Sequence, residues 1–117
     1  MNQTALQPQR TLPPEIAEFC RRAVEALRAE LPVREVWLFG SQVEGGANEH
    51  SDVDLFVVLA DDHGLARPNL ACLGSVSGLK DRPPVDVIAL SESRWREEKT
   101  KRFGLYGDII GKGRRLL

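Results

Sequence analysis

The feature that most constrains this chain is a polar break between two apolar runs near its middle. The run VREVWLF (33–39) ends at Gly40-Ser41, and ten residues then separate Ser41 from Asp52, which opens the run DVDLFVVL (52–59). Short runs rich in β-branched and aromatic residues, bounded by glycine and polar residues, are typical of β-strands. We therefore predict two neighbouring strands with a short polar connection between them.

The remaining segments predict helices and one further strand. Apolar residues after Pro13-Pro14 recur at helical spacing, and proline fits a first helical turn, whose N–H groups have no partner. The expected elements are a helix from Pro13-Pro14 to about residue 30, a turn or short helix at 42–48, a helix at 69–79, a strand at 85–90, a helix at 92–101 capped by Ser91, and a short helix within 103–117. This order predicts an α/β (α+β) fold, a small mixed β-sheet with helices packed on one face.

Length and composition limit the classes of function. The chain has 117 residues, room for one domain, and its net charge of −1 gives no broad cationic surface, so we expect no direct binding of nucleic acid. No apolar stretch is long enough for a membrane span, and the N-terminus lacks the apolar core of a signal peptide. Cys20 and Cys72 are then expected to be buried free thiols of a cytoplasmic protein. Residues 1–12 are polar and are expected to form a flexible N-terminus.

Two carboxylates at the start of the second strand indicate a cation site. Side chains two residues apart on a strand point to the same face, so Asp52 and Asp54 are expected side by side. Neighbouring carboxylates repel each other, and a divalent cation is a partner that keeps both ionised. Mg²⁺ prefers one or two carboxylates together with waters and phosphate oxygens. Asp86, inside the third strand, can complete this site.

The Gly40-Ser41 pair supplies the second half of the pattern. Glycine lets the backbone approach a phosphate closely, and exposed N–H groups with the Ser41 hydroxyl can hold triphosphate oxygens. Nucleotidyl transfer then needs charge neutralisation and positioning, while one carboxylate positions or deprotonates the attacking hydroxyl. The pattern predicts a site for a nucleoside triphosphate and Mg²⁺.

Each motif alone has a simpler interpretation. A single D-x-D at a strand edge is most often a solvated turn. The basic residues of 94–117 could face phosphates or an acidic partner, but a solvated face is the default. The segment GDIIGKG (107–113) hints at a phosphate loop, but its spacing is one residue short and Gly113 replaces the required Ser or Thr. The joint occurrence of the glycine turn, the paired carboxylates and a third carboxylate favours the nucleotide site.

The motifs LFGS, SDVDLFVV and PVDVI together resemble the DNA polymerase β-type nucleotidyltransferase superfamily, and more closely its small stand-alone members, the minimal nucleotidyltransferase (MNT) domains. The resemblance runs from about Pro32 to Leu90, and the C-terminal GLYGDIIGKGRRLL is similar to the way such domains end. It implies a polymerase β-type nucleotidyltransferase fold for a single domain at 13–117.

Matched position by position, the resemblance assigns a role to each motif residue. Gly40 and Ser41 match the triphosphate-binding turn. Asp52 and Asp54 match the metal-binding catalytic carboxylates, and Asp86 matches the third catalytic, metal-binding carboxylate. Many MNT domains are encoded with a helical HEPN-domain toxin. The family implies that the MNT partner is the antitoxin and transfers AMP from ATP to a tyrosine of that toxin.

Two alternatives to an active adenylyltransferase stay open, and a departure from the family pattern motivates the first of them. Relatives commonly carry arginine after the Gly-Ser pair, as in GSRARG, whereas this chain reads GSQVEGG, with Gln42 and Glu44. The first alternative is a catalytically weak antitoxin that neutralises its toxin by binding alone. The second is a small-molecule nucleotidyltransferase of the aminoglycoside type. Because all three carboxylates remain, an active protein adenylyltransferase is the expected function.

Overall fold

The computed structural model describes residues 11–45, 47 and 51–117. The expected flexible segment 1–12 lies almost wholly outside the described residues, as does part of the expected turn or helix at 42–48. The elements are, in chain order, α1 (Pro14–Glu30), β1 (Val33–Phe39), α2 (Ser41–Glu44), β2 (Val53–Leu59), α3 (Pro68–Ser77), β3 (Val85–Ser91), α4 (Glu92–Glu98), α5 (Gly104–Lys112) and β4 (Arg114–Arg115).

The described strands form one mixed sheet in the order β3-β2-β1-β4. Strand β1 runs antiparallel to β2, and β2 runs parallel to β3. A parallel pair needs a long crossover connection, which α3 supplies. The short strand β4 pairs antiparallel with β1, where Leu38 faces Arg114. Two residues carry no periodicity, so sequence analysis does not predict β4.

The first face of the sheet is buried by the two longest helices, α1 and α3. Alternate strand residues point to this face, as the period-two geometry of a strand requires. The buried cluster includes Ile16, Phe19, Ala23 and Leu27 of α1, Val36 and Leu38 of β1, Leu55 and Val57 of β2, Cys72 and Val76 of α3, and Val87 of β3. This cluster is the larger of the two that the sheet separates.

The second face is covered at one end by an aromatic cluster. Phe56 of β2 packs against Trp95 of α4 with 4.7 Å between ring centroids, and Tyr106 of α5 lies 5.8 Å from Phe56. The cluster also contains Trp37 of β1, Val58 of β2 and Ile109 of α5. The predicted α/β class with a mixed sheet is confirmed. The predicted helices on one face correspond to α1 and α3. Helices α4 and α5 partly cover the second face, since each brings inward-facing aromatic or aliphatic residues.

The start of α4 differs from the expectation that Ser91 caps it. Ser91 occupies the N-cap position, but its side chain makes no capping hydrogen bond. Instead, Oδ1 of Asp61 accepts a hydrogen bond of 2.9 Å from the Ser93 N–H. A carboxylate from a distant loop therefore satisfies one of the open N–H groups of this helix. The helix is also shorter than predicted and ends at Glu98.

Both cysteines are buried free thiols, as predicted. Burial raises the pKa of the Cys20 and Cys72 thiols to about 11, which keeps them protonated and unreactive at neutral pH. Within the described part of the chain, none of the helices combines the length and the apolar character that crossing a bilayer requires.

Replacing Trp95 with alanine is expected to lower the free energy of unfolding by about 3–5 kcal/mol, because it empties the centre of the aromatic cluster. The indole is 2% exposed. Its N–H has no hydrogen-bond partner among the described residues, so the loss is one of apolar contact. Urea unfolding followed by circular dichroism measures the change.

The matched control is Phe103→Ala, since Phe103 is 79% exposed. This change should stay within about 0.5 kcal/mol of the wild type. Equal losses for the two variants would contradict the packing described for the second face.

Candidate active site

The structure brings the predicted carboxylates to one end of the sheet. Asp54 on β2 faces Asp86 on β3 in the parallel register and Phe39 on β1 in the antiparallel register. Residues in register on adjacent strands share a face and lie about 4.8 Å apart. Asp52 immediately precedes β2, which begins at Val53, one residue later than predicted. The carboxylates of Asp54 and Asp86 therefore share the second face, opposite α1 and α3.

The Gly40-Ser41 turn lies directly against this row. Gly40 has a φ of 80° and a ψ of −154°, a combination that only glycine adopts readily. A methyl group built on Gly40 would overlap Oδ2 of Asp54. The backbone conformation and the lack of space for a side chain both require glycine at this position. Together they let the backbone of Gly40 lie against the carboxylate of Asp54. Ser41 then opens α2, whose Val43 and Glu44 N–H groups donate to the Gly40 carbonyl.

The electrostatics of the row centre on Asp54. Partial burial raises the pKa of the Asp54 carboxyl, and the negative charges of Asp52 and Asp86 raise it further. Three anionic side chains thus act on one another at the end of the sheet. A divalent cation would reverse this balance, because its charge favours the ionised form of each carboxylate.

Asp86 is held differently from Asp54. Its side chain is exposed, and its Oδ1 accepts a hydrogen bond of 3.0 Å from the Val87 N–H, the next residue along the strand. Across the described residues, no group of three or more His, Cys, Asp or Glu side chains is placed so that it could hold a metal ion. This donor set still fits Mg²⁺, which takes one or two carboxylates and completes its shell with water and phosphate oxygens. Asp52 and Asp54 would hold such an ion, with Asp86 beside it at the open edge.

The end of α5 borders the glycine turn on the side away from the carboxylates. A cavity of about 130 Å³ beside Gly40 is lined by Phe39, Glu44, Asp108 and Lys112, among others. Sequence reasoning places the basic residues of this tail on a solvated face by default, and the Lys112 side chain is 60% exposed. The pairing of β4 with β1 brings Lys112 to the glycine turn, a proximity that no local spacing predicts.

Comparison with known proteins identifies the family. Residues 20–114 match the protein-family model described as nucleotidyltransferase domain, so the chain belongs to that family. The predicted polymerase β-type resemblance is confirmed at this level. A search of curated proteins gave no match.

Two solved structures are similar to this chain. One is a provisional nucleotidyltransferase from Sulfolobus solfataricus, with 28% identity, a TM-score of 0.49, and coverage of 68% of this chain and 70% of that one. The other is a toxin–antitoxin complex with AMP-PNP, with 19% identity, a TM-score of 0.56, and coverage of 84% of this chain and 72% of that one. At 19% identity, the second likeness shows the fold alone.

Gly40→Ala is expected to destabilise the protein more than Gly64→Ala, although both glycines have positive φ. Among the described residues, none lies within 4 Å of a methyl group built on Gly64, whereas a methyl group on Gly40 meets Asp54. Gly64→Ala should cost about 1–2 kcal/mol from backbone strain. Gly40→Ala should cost at least about 1 kcal/mol more, because the carboxylate must also move. Chemical denaturation of both variants measures the difference, and equal losses would contradict the contact between turn and carboxylate.

Asp54→Asn is expected to stabilise the free protein at pH 7, by at most about 1 kcal/mol, because solvent screens part of the repulsion. The raised pKa of Asp54 means that the protonated form is favoured by folding. In the wild type, the stability gained by protonating Asp54 is complete below the ordinary carboxyl pKa and is lost as the pH rises through the raised value.

The gain from Asp54→Asn should therefore vanish in acid. Thermal melting between pH 3 and pH 8, without divalent ions, tests this dependence. Asp62→Asn, in an exposed loop, is the control and should change little at any pH. A loss of stability in Asp54→Asn at pH 7 would show that the carboxylate is not in conflict with its neighbours.

Proposed function

We propose that this protein is a Mg²⁺-dependent nucleotidyltransferase that transfers AMP from ATP to a hydroxyl of a protein, a tyrosine of a HEPN-type toxin, and thereby acts as an antitoxin. The observation that carries the proposal is the row of Asp86, Asp54 and the Gly40 turn at one end of the sheet. Membership in the nucleotidyltransferase family supports the reaction class. We infer that residues 13–117 form a single domain.

In this proposal each site residue has a definite task. Asp52 and Asp54 hold the cation, which neutralises charge on the α-phosphate and on the departing pyrophosphate when it is bound. The backbone of Gly40 and the hydroxyl of Ser41 hold triphosphate oxygens. Asp86 orients the attacking hydroxyl and accepts its proton as the oxygen bonds to the α-phosphorus. Pyrophosphate leaves, and the acceptor carries AMP on its oxygen.

A protein acceptor is supported by the openness of the site on the β3 side. Strand β3 is at the edge of the described sheet, and the Asp86 side chain on it is exposed. A hydroxyl on the surface of a second molecule can therefore reach this carboxylate. The similar complex of a toxin and an antitoxin with AMP-PNP supports a toxin as the partner and an adenine nucleotide as the substrate.

The buried, unreactive thiols support a cytoplasmic setting, where free cysteines persist.

The binding-only alternative is based on Gln42 and Glu44 in the turn segment. Gln42 is buried. The Glu44 carboxylate lies 3.9 Å from the Lys112 amino group, which offsets its charge. The altered turn segment therefore retains a neighbouring cation.

Incubation with α-labelled ATP, Mg²⁺ and a candidate HEPN-type toxin is expected to label that toxin on tyrosine. Asp52→Asn and Asp86→Asn should each reduce labelling at least about 100-fold, because the first removes a ligand of the cation and the second the group that accepts the proton of the attacking hydroxyl. Chelation of the divalent ion should abolish labelling, and the exposed-loop variant Asp62→Asn should keep it.

The outcomes separate the alternatives. Labelling that survives Asp52→Asn, or no labelling at all, would contradict the transferase proposal. Full neutralisation of the toxin by the double variant Asp52→Asn, Asp54→Asn would favour the binding-only antitoxin. Transfer of AMP to an aminoglycoside in place of the protein would favour the small-molecule alternative.

A further inference from the structure

The C-terminal end of α5 lies beside the glycine turn. Lys112 is the last residue of α5, and its amino nitrogen is 3.9 Å from Oε1 of Glu44, at the end of α2. Both residues line the cavity of about 130 Å³ that also contacts Gly40. Leu38 pairs with Arg114, so the antiparallel direction of β1 and β4 carries Gly40 and Lys112 towards each other. The ammonium group of Lys112, near the C-terminus, therefore lies beside the Gly40-Ser41 turn.

The backbone that carries Lys112 is tightly packed. The Gly113 N–H donates a hydrogen bond of 2.8 Å to the Ile109 carbonyl and closes the last turn of α5. A methyl group on Gly113 would lie 2.5 Å from the Ile109 oxygen and 3.2 Å from the Leu38 oxygen. Glycine is therefore needed for α5 to end this close to β1. The position of the lysine relative to the turn is set by the sheet and not by a loose tail.

The ion pair between Lys112 and Glu44 is weak and exchangeable. The two side chains are 60% and 45% exposed. Pairs of this kind contribute little to stability in water. A phosphate oxygen offers a stronger, charge-assisted partner for an ammonium group. The lysine can therefore leave Glu44 for an incoming phosphate at little cost.

We propose that Lys112 binds the β- or γ-phosphate of the nucleoside triphosphate. This assignment rests on the proposed function and adds the residue that holds the far end of the triphosphate. Across the site the order is Asp86 on β3, Asp54 on β2, Gly40 after β1 and Lys112 on α5. The acceptor hydroxyl would sit at the first of these and the pyrophosphate leaving group at the last.

Calorimetric titration of the full chain with AMP-PNP and Mg²⁺ tests the assignment without catalysis. Lys112→Met keeps the apolar stem and removes the charge, and it should weaken AMP-PNP binding about tenfold or more, the usual effect of losing a hydrogen bond to a charged group. Lys112→Arg should retain most of the affinity. The matched control is Lys99→Met, which removes the same charge from an exposed position directly after α4 and should leave the affinity unchanged. Thermal melting of each variant confirms that it is folded.

A second titration with AMP locates the contact along the nucleotide. AMP has no β- or γ-phosphate, so Lys112→Met should affect its binding far less than that of AMP-PNP. If wild-type protein binds AMP-PNP and Lys112→Met binds it equally well, the role of Lys112 is overturned while the proposed function stands. If Lys112→Met loses the same affinity for AMP as for AMP-PNP, the role of Lys112 is also overturned. If the wild type binds no AMP-PNP, the proposed function fails together with the role of Lys112.

Discussion

The contact between the Gly40 backbone and the Asp54 carboxylate is the constraint on which the rest of the site depends. This contact exists because the antiparallel register of β1 and β2 places Phe39 opposite Asp54. Gly40, the first residue after β1, therefore lies next to the carboxylate. The absence of a side chain and a positive φ at Gly40 make this approach possible. A shift of one residue in this register would send Asp54 to the opposite face, into the core beneath α1 and α3.

The site lies at the boundary between a packed core and water. On β2 the second face carries Asp54 and then Phe56, so the carboxylate row borders the aromatic cluster of Phe56, Trp95 and Tyr106. The apolar residues behind the row desolvate Asp54 in part, and its anionic neighbours add to the effect. This arrangement costs some stability in the free protein and suits a cationic ligand. Sites that bind or react are commonly less than optimal for folding in this way.

The sequence predicts the parts of this structure that are encoded locally. The first strand is predicted with the bounds it has, because Pro32 and Gly40 stand directly before and after its apolar run. The second strand begins one residue later than predicted, at Val53. The placement of Asp54 and Asp86 on one face follows from the period of two along each strand, combined with the in-register parallel pairing. Their roles in catalysis stay predictions.

Features that depend on distant partners are not visible in the sequence. Asp61 caps α4 from 32 residues away, which displaces the expected role of Ser91. Lys112 reaches the glycine turn only because β4, a pair of arginines with no strand signal, adds to the edge of β1. The partial cover on the second face depends on single inward residues of two short helices, such as Trp95 and Ile109, which give no recognisable stripe.

The most direct test of the central claim is nuclear magnetic resonance of the labelled chain titrated with Mn²⁺ and AMP-PNP, since Mn²⁺ takes the oxygen ligands of Mg²⁺ and broadens nearby signals. The account predicts nucleotide-dependent broadening of amide signals at Gly40-Ser41, around Asp54 and at Asp86, while the acidic loop at Asp61-Asp62 stays sharp. Broadening centred on that loop, or sharp signals at both Gly40 and Asp54, would contradict a single site for metal and triphosphate at this end of the sheet.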